Sequence, residues 1–367
     1  MESKEILTRT ECTAMRGIAI LAIMLHNYCH YVKGIAKENE YQFLDKRCDH
    51  LWESLTNPDE FLPMDLLSFF GHYGVPVFLF LSGYGLVKKY EKETYSHLSL
   101  LTSHLSFLRY HYLKLLRMLI VGFVLFIIVD AVTPGRFPFH WDNVIAQLLM
   151  YINVLPEPDK IIWPGIYWFF GLMMQLYIVY RLLLYRRSSW YVAVLIAACW
   201  LLQVFCDPDG DTLNRLRYNF IGGMLPFGLG VLLARSAKSA SNHISHLSLL
   251  TSHLLFFLLF FLLFLLSVAF VFAMSFNFHS WLWIPIVIII GTIAMVKMMP
   301  EAVMKVFVFF GTYSAAMFVA HPIARKLFIT VAWQRDAYDG LILYFVAAIG
   351  LAWAVKQIID RIPSPNL

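Results

Sequence analysis

Charge is scarce in this chain: only 14% of its 367 residues are Asp, Glu, Lys or Arg, against roughly 25% in a soluble domain. That scarcity excludes a soluble fold. With 59% of the residues hydrophobic, so few charges cannot cover the apolar side chains, and the surplus must face lipid. A long polar stretch is also missing. The longest, Lys33 to Pro63, runs for about thirty residues and is too short to bury a core of its own. The chain therefore reads as a single membrane-embedded domain over 1–367. Cysteine is sparse as well, and the five present have no metal-cage or paired spacing. Cys29, Cys48 and Cys206 fall toward one face, where a disulfide is chemically possible and free thiols are the simpler reading. The net charge of +5 does not gather into a nucleic-acid patch, because the bases sit in short groups between apolar runs, a pattern that belongs to topology. No nucleic-acid partner is expected. No small-residue cleavage site follows the first apolar run, which reads as a retained helix.

What the chain does have is a series of apolar runs long enough to cross a hydrocarbon core, about 17 to 25 residues each. Ten are legible, near 12–32, 66–87, 115–133, 164–184, 190–206, 219–234, 254–275, 281–299, 304–328 and 340–358. Val144 to Leu155 is a shorter stretch that lies in the interface or re-enters. These runs predict an all-α polytopic membrane protein of about ten transmembrane helices. With the N-terminus inside, eighteen of the 29 Lys and Arg fall in cytoplasmic segments, while seventeen of the 24 acidic residues fall outside. Both termini are thus expected in the cytoplasm. The expected location is the cell membrane, a bacterial inner membrane, with lipid as a partner.

Polar residues inside the runs are the candidate chemistry, since ionisable groups at that depth normally face a cavity or a partner. The first run carries Arg16 at its start and His26 ten residues on, roughly 15 Å deeper along a helix. The second holds Ser82, Gly83 and Tyr84, where small residues permit close approach by a helix or a ligand. Arg109, Lys114 and Arg117 gather where the third begins, which suits both membrane anchoring and phosphate binding. Trp168, Gln175 and Tyr177 mark the fourth, and Ser314 and His321 the ninth, where Pro322 should kink the helix; all five are candidates either for substrate contact or for helix packing. In the polar loop, Tyr41, Phe43, Trp52 and Glu53 either line an acceptor groove or cover helix ends. One repeat, SHLSLLTSHL, occurs at 96–105 and 245–254, spacing His97 from His104 and His246 from His253 by seven residues. It lacks carboxylate and thiol partners and reads as a duplicated interfacial segment. No metal ligands are expected.

RGIAILAIMLHN, GVPVFLFLSGYGL, the KLLR at 114–117, the W…Q.Y span at 168–177 and GTYSAAMFVAHPI occur in that order. Together they resemble the acyltransferase-3 family of membrane acyltransferases over residues 10 to 330, roughly. The resemblance implies a ten-helix enzyme that transfers an acetyl or related acyl group from a cytoplasmic coenzyme A thioester to a carbohydrate or similar acceptor. It makes His26 the catalytic histidine, Arg16 its paired arginine, and Lys114 with Arg117 the basic pair of the third span. Acyl-CoA enters as donor substrate, with no tightly bound cofactor. The chain departs from the family in one place: nine residues separate Arg16 from His26, where the family usually has ten. At about 100° per residue this brings the two about 80° short of a common face. Either the helix is locally irregular or the two do not act as a close pair.

Read from the residues, a neutral imidazole suits the deprotonation of a hydroxyl acceptor, and a route through an acylated His26 remains open. A transporter or flippase of a lipid-linked or small polar substrate is the alternative, because midplane polar residues serve transport equally well. No repeat relating the two halves of the chain is visible to favour it. The charge asymmetry yields a direct expectation. A reporter fused after Leu367 should be cytoplasmic, and a thiol label placed within Lys37 to Asn57 should react from outside. Labelling of that loop from the cytoplasm would invert the arrangement.

Overall fold

The computed structural model describes residues 6–91, 100–250 and 253–365, with the backbone alone at 100–102, 237–250 and 253–254. Among the described residues there are helices and no strands. Helix α1 (Arg9–Cys29) begins at a capping box in which Thr8 and Glu11 satisfy each other's backbone N–H groups. A short helix, α2 (Asp45–Thr56), follows in the polar loop. Next, α3 (Leu62–Phe70) passes through a 3₁₀ turn, Gly71–Tyr73, into α4 (Gly74–Tyr90). Helix α5 covers Leu100–Val132 and α6 covers Trp141–Leu148. A single 3₁₀ turn leads into α7 (Trp168–Val179), which ends in a π-helical segment, Tyr180–Leu184. The remainder is α8 (Ser189–Val204), α9 (Asp211–Arg217), α10 (Phe220–Leu250), α11 (His253–Met274), α12 (Phe278–Trp281), α13 (Ile284–Met298), α14 (Glu301–Gln334) and α15 (Ala337–Arg361).

Among the described residues seven helical segments are long and apolar enough to cross a membrane, α3 with α4 and α7 with its flanking turns each counting as one, and the bent pair of α9 with the start of α10 would make eight. Helices α8 and α13 are apolar but shorter. Each of the ten runs read from the sequence lies on one of these elements, while length and composition credit fewer of them as full spans. The Val144–Leu155 stretch forms α6 and a 3₁₀ turn at Ile152–Val154. Its Gln147 is buried and donates to the Tyr167 carbonyl at 3.1 Å. All five cysteines are free thiols. Of the repeated segment, His97 and the side chains of His246 and His253 lie outside the described residues.

The core of the bundle is α1, gripped by α14 on one side and by α3 and α4 on the other. These contacts are backbone to backbone. A Cβ on Gly17 would stand 1.9 Å from the Phe307 carbonyl oxygen, and one on Gly311 would stand 1.8 Å from that of Thr13. In lipid, where burial of apolar surface does not drive helices together, such close packing of small residues is what holds them. The helix stays α-helical from Arg9 to Cys29, so no irregularity rotates Arg16 toward His26. The π-helical turn occurs in α7 instead.

This packing sets a stability test. Gly311→Leu should force α1 and α14 apart and lower the thermal midpoint in detergent, overpacking alone costing about 1–3 kcal/mol. Gly85→Ala, whose Cβ meets nothing within 4 Å, should leave it unchanged or raise it. An unshifted midpoint in Gly311→Leu would contradict the close approach.

Candidate active site

The site is built where α3 ends. The last carbonyls of a helix have no partner in its own ladder, and the 3₁₀ turn leaves those of Ser68 and Phe69 in that position. Two imidazoles take them. His26 Nδ1 lies 2.6 Å from the Ser68 carbonyl oxygen, and His72 Nδ1 lies 2.9 Å from that of Phe69. A carbonyl only accepts, so each Nδ1 is the donor and each Nε2 keeps its lone pair. The approach is again made by glycine: a Cβ on Gly71 would lie 2.6 Å from the His26 Cβ. His26 is 6% exposed, its ring 5.8 Å from His72 and 5.6 Å from His30.

His26 lines two adjoining chambers. One, of about 270 Å³, is polar and includes His30, Glu38, Glu40, Tyr41, Asp159 and Tyr218 in its wall. The other is smaller and largely apolar, lined by Ile23, Val75, Phe78, Phe169 and Phe318. Both share His26, Asn27, Glu40, Tyr41, Ile166 and Trp168. In the polar chamber Tyr41 stacks on Tyr218 at 3.8 Å and meets the edge of Trp168 at 5.5 Å. The loop that carries Glu38 to Tyr41 is held from several sides. Ala36 N–H donates to Asp65, Arg47 to the Glu38 carbonyl, and the Trp281 indole to the Asn39 carbonyl. Burial would raise the Glu38 carboxyl, but the imidazoles of His26, His30 and His72 outweigh it and hold Glu38 below the usual carboxylate range. Burial, reinforced by the Glu38 carboxylate, pushes Glu40 up. The chamber therefore presents an ionised carboxylate beside one biased toward its protonated, hydrogen-bond-donating form.

The basic residues collect at the other end of α1. Arg16 is exposed and, with Lys89 and Arg117, acts electrostatically on Lys114. Lys89 lies over the rings of Tyr90 and Tyr110, at 4.9 and 4.8 Å. Arg117 is in part committed elsewhere, donating to the Ile362 carbonyl and Ser364 Oγ. Arg109 is exposed and the described residues give it no hydrogen bond or ion pair. Arg16 and His26 stand at opposite ends of the helix and make no contact. The expected pairing of Arg16 with His26 does not form, while Lys114 and Arg117 lie close enough to act on each other electrostatically, as Arg16 does on Lys114.

The other polar candidates have structural partners. Ser82 bonds to Tyr177. Gly83 packs against the Phe227 carbonyl, from which a Cβ would be 2.2 Å, and the Tyr84 hydroxyl donates to the Leu7 carbonyl. Gln175 ties the α9–α10 break, donating to Asn219 Oδ1 at 2.8 Å and accepting from Phe220 N–H at 2.9 Å. Ser314 donates to the Gly311 carbonyl. His321 is fully buried, donates from Nδ1 to the Met317 carbonyl, and keeps an unpartnered Nε2. Trp168 alone of this group lines both chambers. Of the loop residues, Tyr41 lines them too, Phe43 packs on Trp281, and Trp52 and Glu53 are exposed.

Sequence reasoning missed His30, Glu38, Glu40, His72, Tyr218 and Arg325. Arg325 is 2% exposed and donates to the Asn27 carbonyl and Oδ1, its guanidinium 3.9 Å from the Tyr31 ring. Its position one turn beyond His321 on the same helix face was the available signal. For His30 it was the four-residue spacing from His26. Glu38 carried none, because only the loop's fold returns it to α1.

A model of the acyltransferase-3 family, described as an acyltransferase domain, matches residues 11–357. No curated protein and no solved structure matches the chain. With a match over nearly its whole length, on a bundle of membrane-crossing apolar helices around a buried imidazole, the chain belongs to the acyltransferase-3 family and is a multi-pass membrane acyltransferase.

Proposed function

We propose that this enzyme transfers an acetyl or related acyl group from a cytoplasmic acyl-CoA to a hydroxyl of a glycan or similar acceptor. The observation that carries the reading is the position of His26, an imidazole with a fixed Nδ1 donor, at the junction of a polar and an apolar chamber. The polar chamber suits a sugar: Tyr41, Trp168 and Tyr218 offer aromatic faces, and Glu38, Glu40 and Asp159 offer hydrogen bonds to hydroxyls. The apolar chamber suits the acyl chain and thioester. Arg16, Lys89 and Lys114 form a basic group about 15 Å away along α1, where the phosphates of the donor would rest while its flexible arm reaches inward.

In the reaction the acceptor hydroxyl gives its proton to His26 Nε2 as its oxygen attacks the thioester carbonyl. The Ser68 carbonyl holds the ring and stabilises the imidazolium that forms. Collapse of the tetrahedral intermediate breaks the C–S bond, and the thiolate takes the proton back from His26. A two-step route would use the same Nε2 as nucleophile.

His26→Ala should lower transfer by about 10² to 10⁴-fold with donor binding retained, because a general base acts mainly in the transition state. His26→Asn should be nearly as inactive, since an amide cannot take the proton. A wild-type rate in folded His26→Asn protein would sink the assignment and favour transport. For the donor, Lys89→Ala with Lys114→Ala should raise the acyl-CoA KM and weaken its salt dependence, while the acceptor KM holds. Arg109→Ala should change little. Equal effects of the two would return all these bases to membrane anchoring.

A further inference from the structure

We propose that His26, His30 and Glu38 form a binding site for a divalent metal of the zinc class, whose occupancy removes His26 from service as a base. The second half rests on the acyl-transfer reading above; the site itself does not. One ligand atom from each residue lies within 4.8 Å of the other two. Tetrahedral ligands at about 2.0–2.2 Å from zinc stand about 3.3–3.6 Å apart, so closing the triangle takes about an ångström of side-chain movement.

The chemistry of the donors fits. Two imidazoles and one carboxylate form a recurrent zinc donor set that leaves a fourth position open. His26 and His30 are four residues apart at the end of α1, a spacing that turns two histidines to one face and serves zinc sites elsewhere. His26 Nδ1 already donates to the Ser68 carbonyl. This outer hydrogen bond is the kind that orients a ligating histidine and turns Nε2 toward the metal. Glu38 is 5% exposed, and the one ion pair the described residues give its carboxylate is with His30, at 2.8 Å. A metal would replace that contact with a stronger one. All three residues line the polar chamber, whose wall also holds Glu40, Asp159 and Asp211 against Arg47 and a Lys160 already paired with Glu157, an acidic excess that draws cations inward.

The test uses tag-free, EDTA-stripped protein in detergent, titrated with zinc chloride by calorimetry and with cobalt(II) by visible absorption. One zinc per chain is expected, with a tetrahedral cobalt spectrum. Loss of an outer partner alone costs about 10–100-fold in affinity, so His30→Ala and Glu38→Gln should each cost at least about 100-fold. His30→Gln repeats the measurement if the alanine variant does not fold. Zinc should inhibit wild-type transfer, and EDTA should restore it. Binding that survives in both variants belongs to other histidines and overturns the site. Transfer activity indifferent to zinc, in a protein that binds it through these residues, overturns the claim that occupancy withdraws His26. Specific binding in a wild-type protein without transfer activity sinks the acyl-transfer reading and leaves the metal site standing.

Discussion

The bond between His26 Nδ1 and the Ser68 carbonyl is the contact on which the site depends. An imidazole inside an apolar bundle must find a partner or be excluded. Here the partner exists because α3 stops at Phe70 and the chain takes a 3₁₀ turn before resuming as α4. Had the helix run on unbroken, those carbonyls would have been spent within it. The break therefore supplies two acceptors, and the two histidines that take them are brought 5.8 Å apart. Glycine makes the geometry possible, because Gly71 lets the break lie directly against His26.

Fold class was legible in the sequence because lipid imposes a strong signature: long apolar runs, few charges, and helices as the structure that satisfies its own backbone. His26 was legible for the same reason, as a polar residue at a depth where lipid-facing helices carry none. Its surroundings were not. Glu38, Glu40 and Tyr41 sit in a loop whose path is fixed by Asp65, Arg47 and Trp281, residues far apart in the chain. No local pattern encodes that convergence. Mid-span polarity alone did not separate chemistry from packing: Gln175 is a tie across a helix break, and Ser314 a bond within its own helix.

The short Arg16 to His26 spacing shows how a sequence departure becomes structural information. Two explanations were open, and the unbroken α1 leaves one. Arg16 is exposed and acts electrostatically on Lys114 and Tyr177 instead. The helix thus carries two separate electrostatic environments, a basic one at its start and an acid and imidazole one at its end. Separation of this kind matters in a medium where charges interact strongly. The guanidinium that does stand near the imidazole end is that of Arg325, which donates to the Asn27 carbonyl and Oδ1.

The cost of the site is visible in the polar atoms it leaves unmatched. His72 Nε2, His321 Nε2 and Ser68 Oγ are buried with no protein partner, and each such atom costs about 1–3 kcal/mol. They come from α3, its following turn and α14, the elements that grip α1. The close glycine packing around Gly17 and Gly311 offsets that cost, by holding the bundle together where the polar interior would loosen it. Close packing runs along α1 from Gly17 to the approach of Gly71 at His26, so the contacts that hold the bundle also set the place of the imidazole. The last two turns of the helix carry His26 and Asn27 into a chamber that those contacts keep in shape.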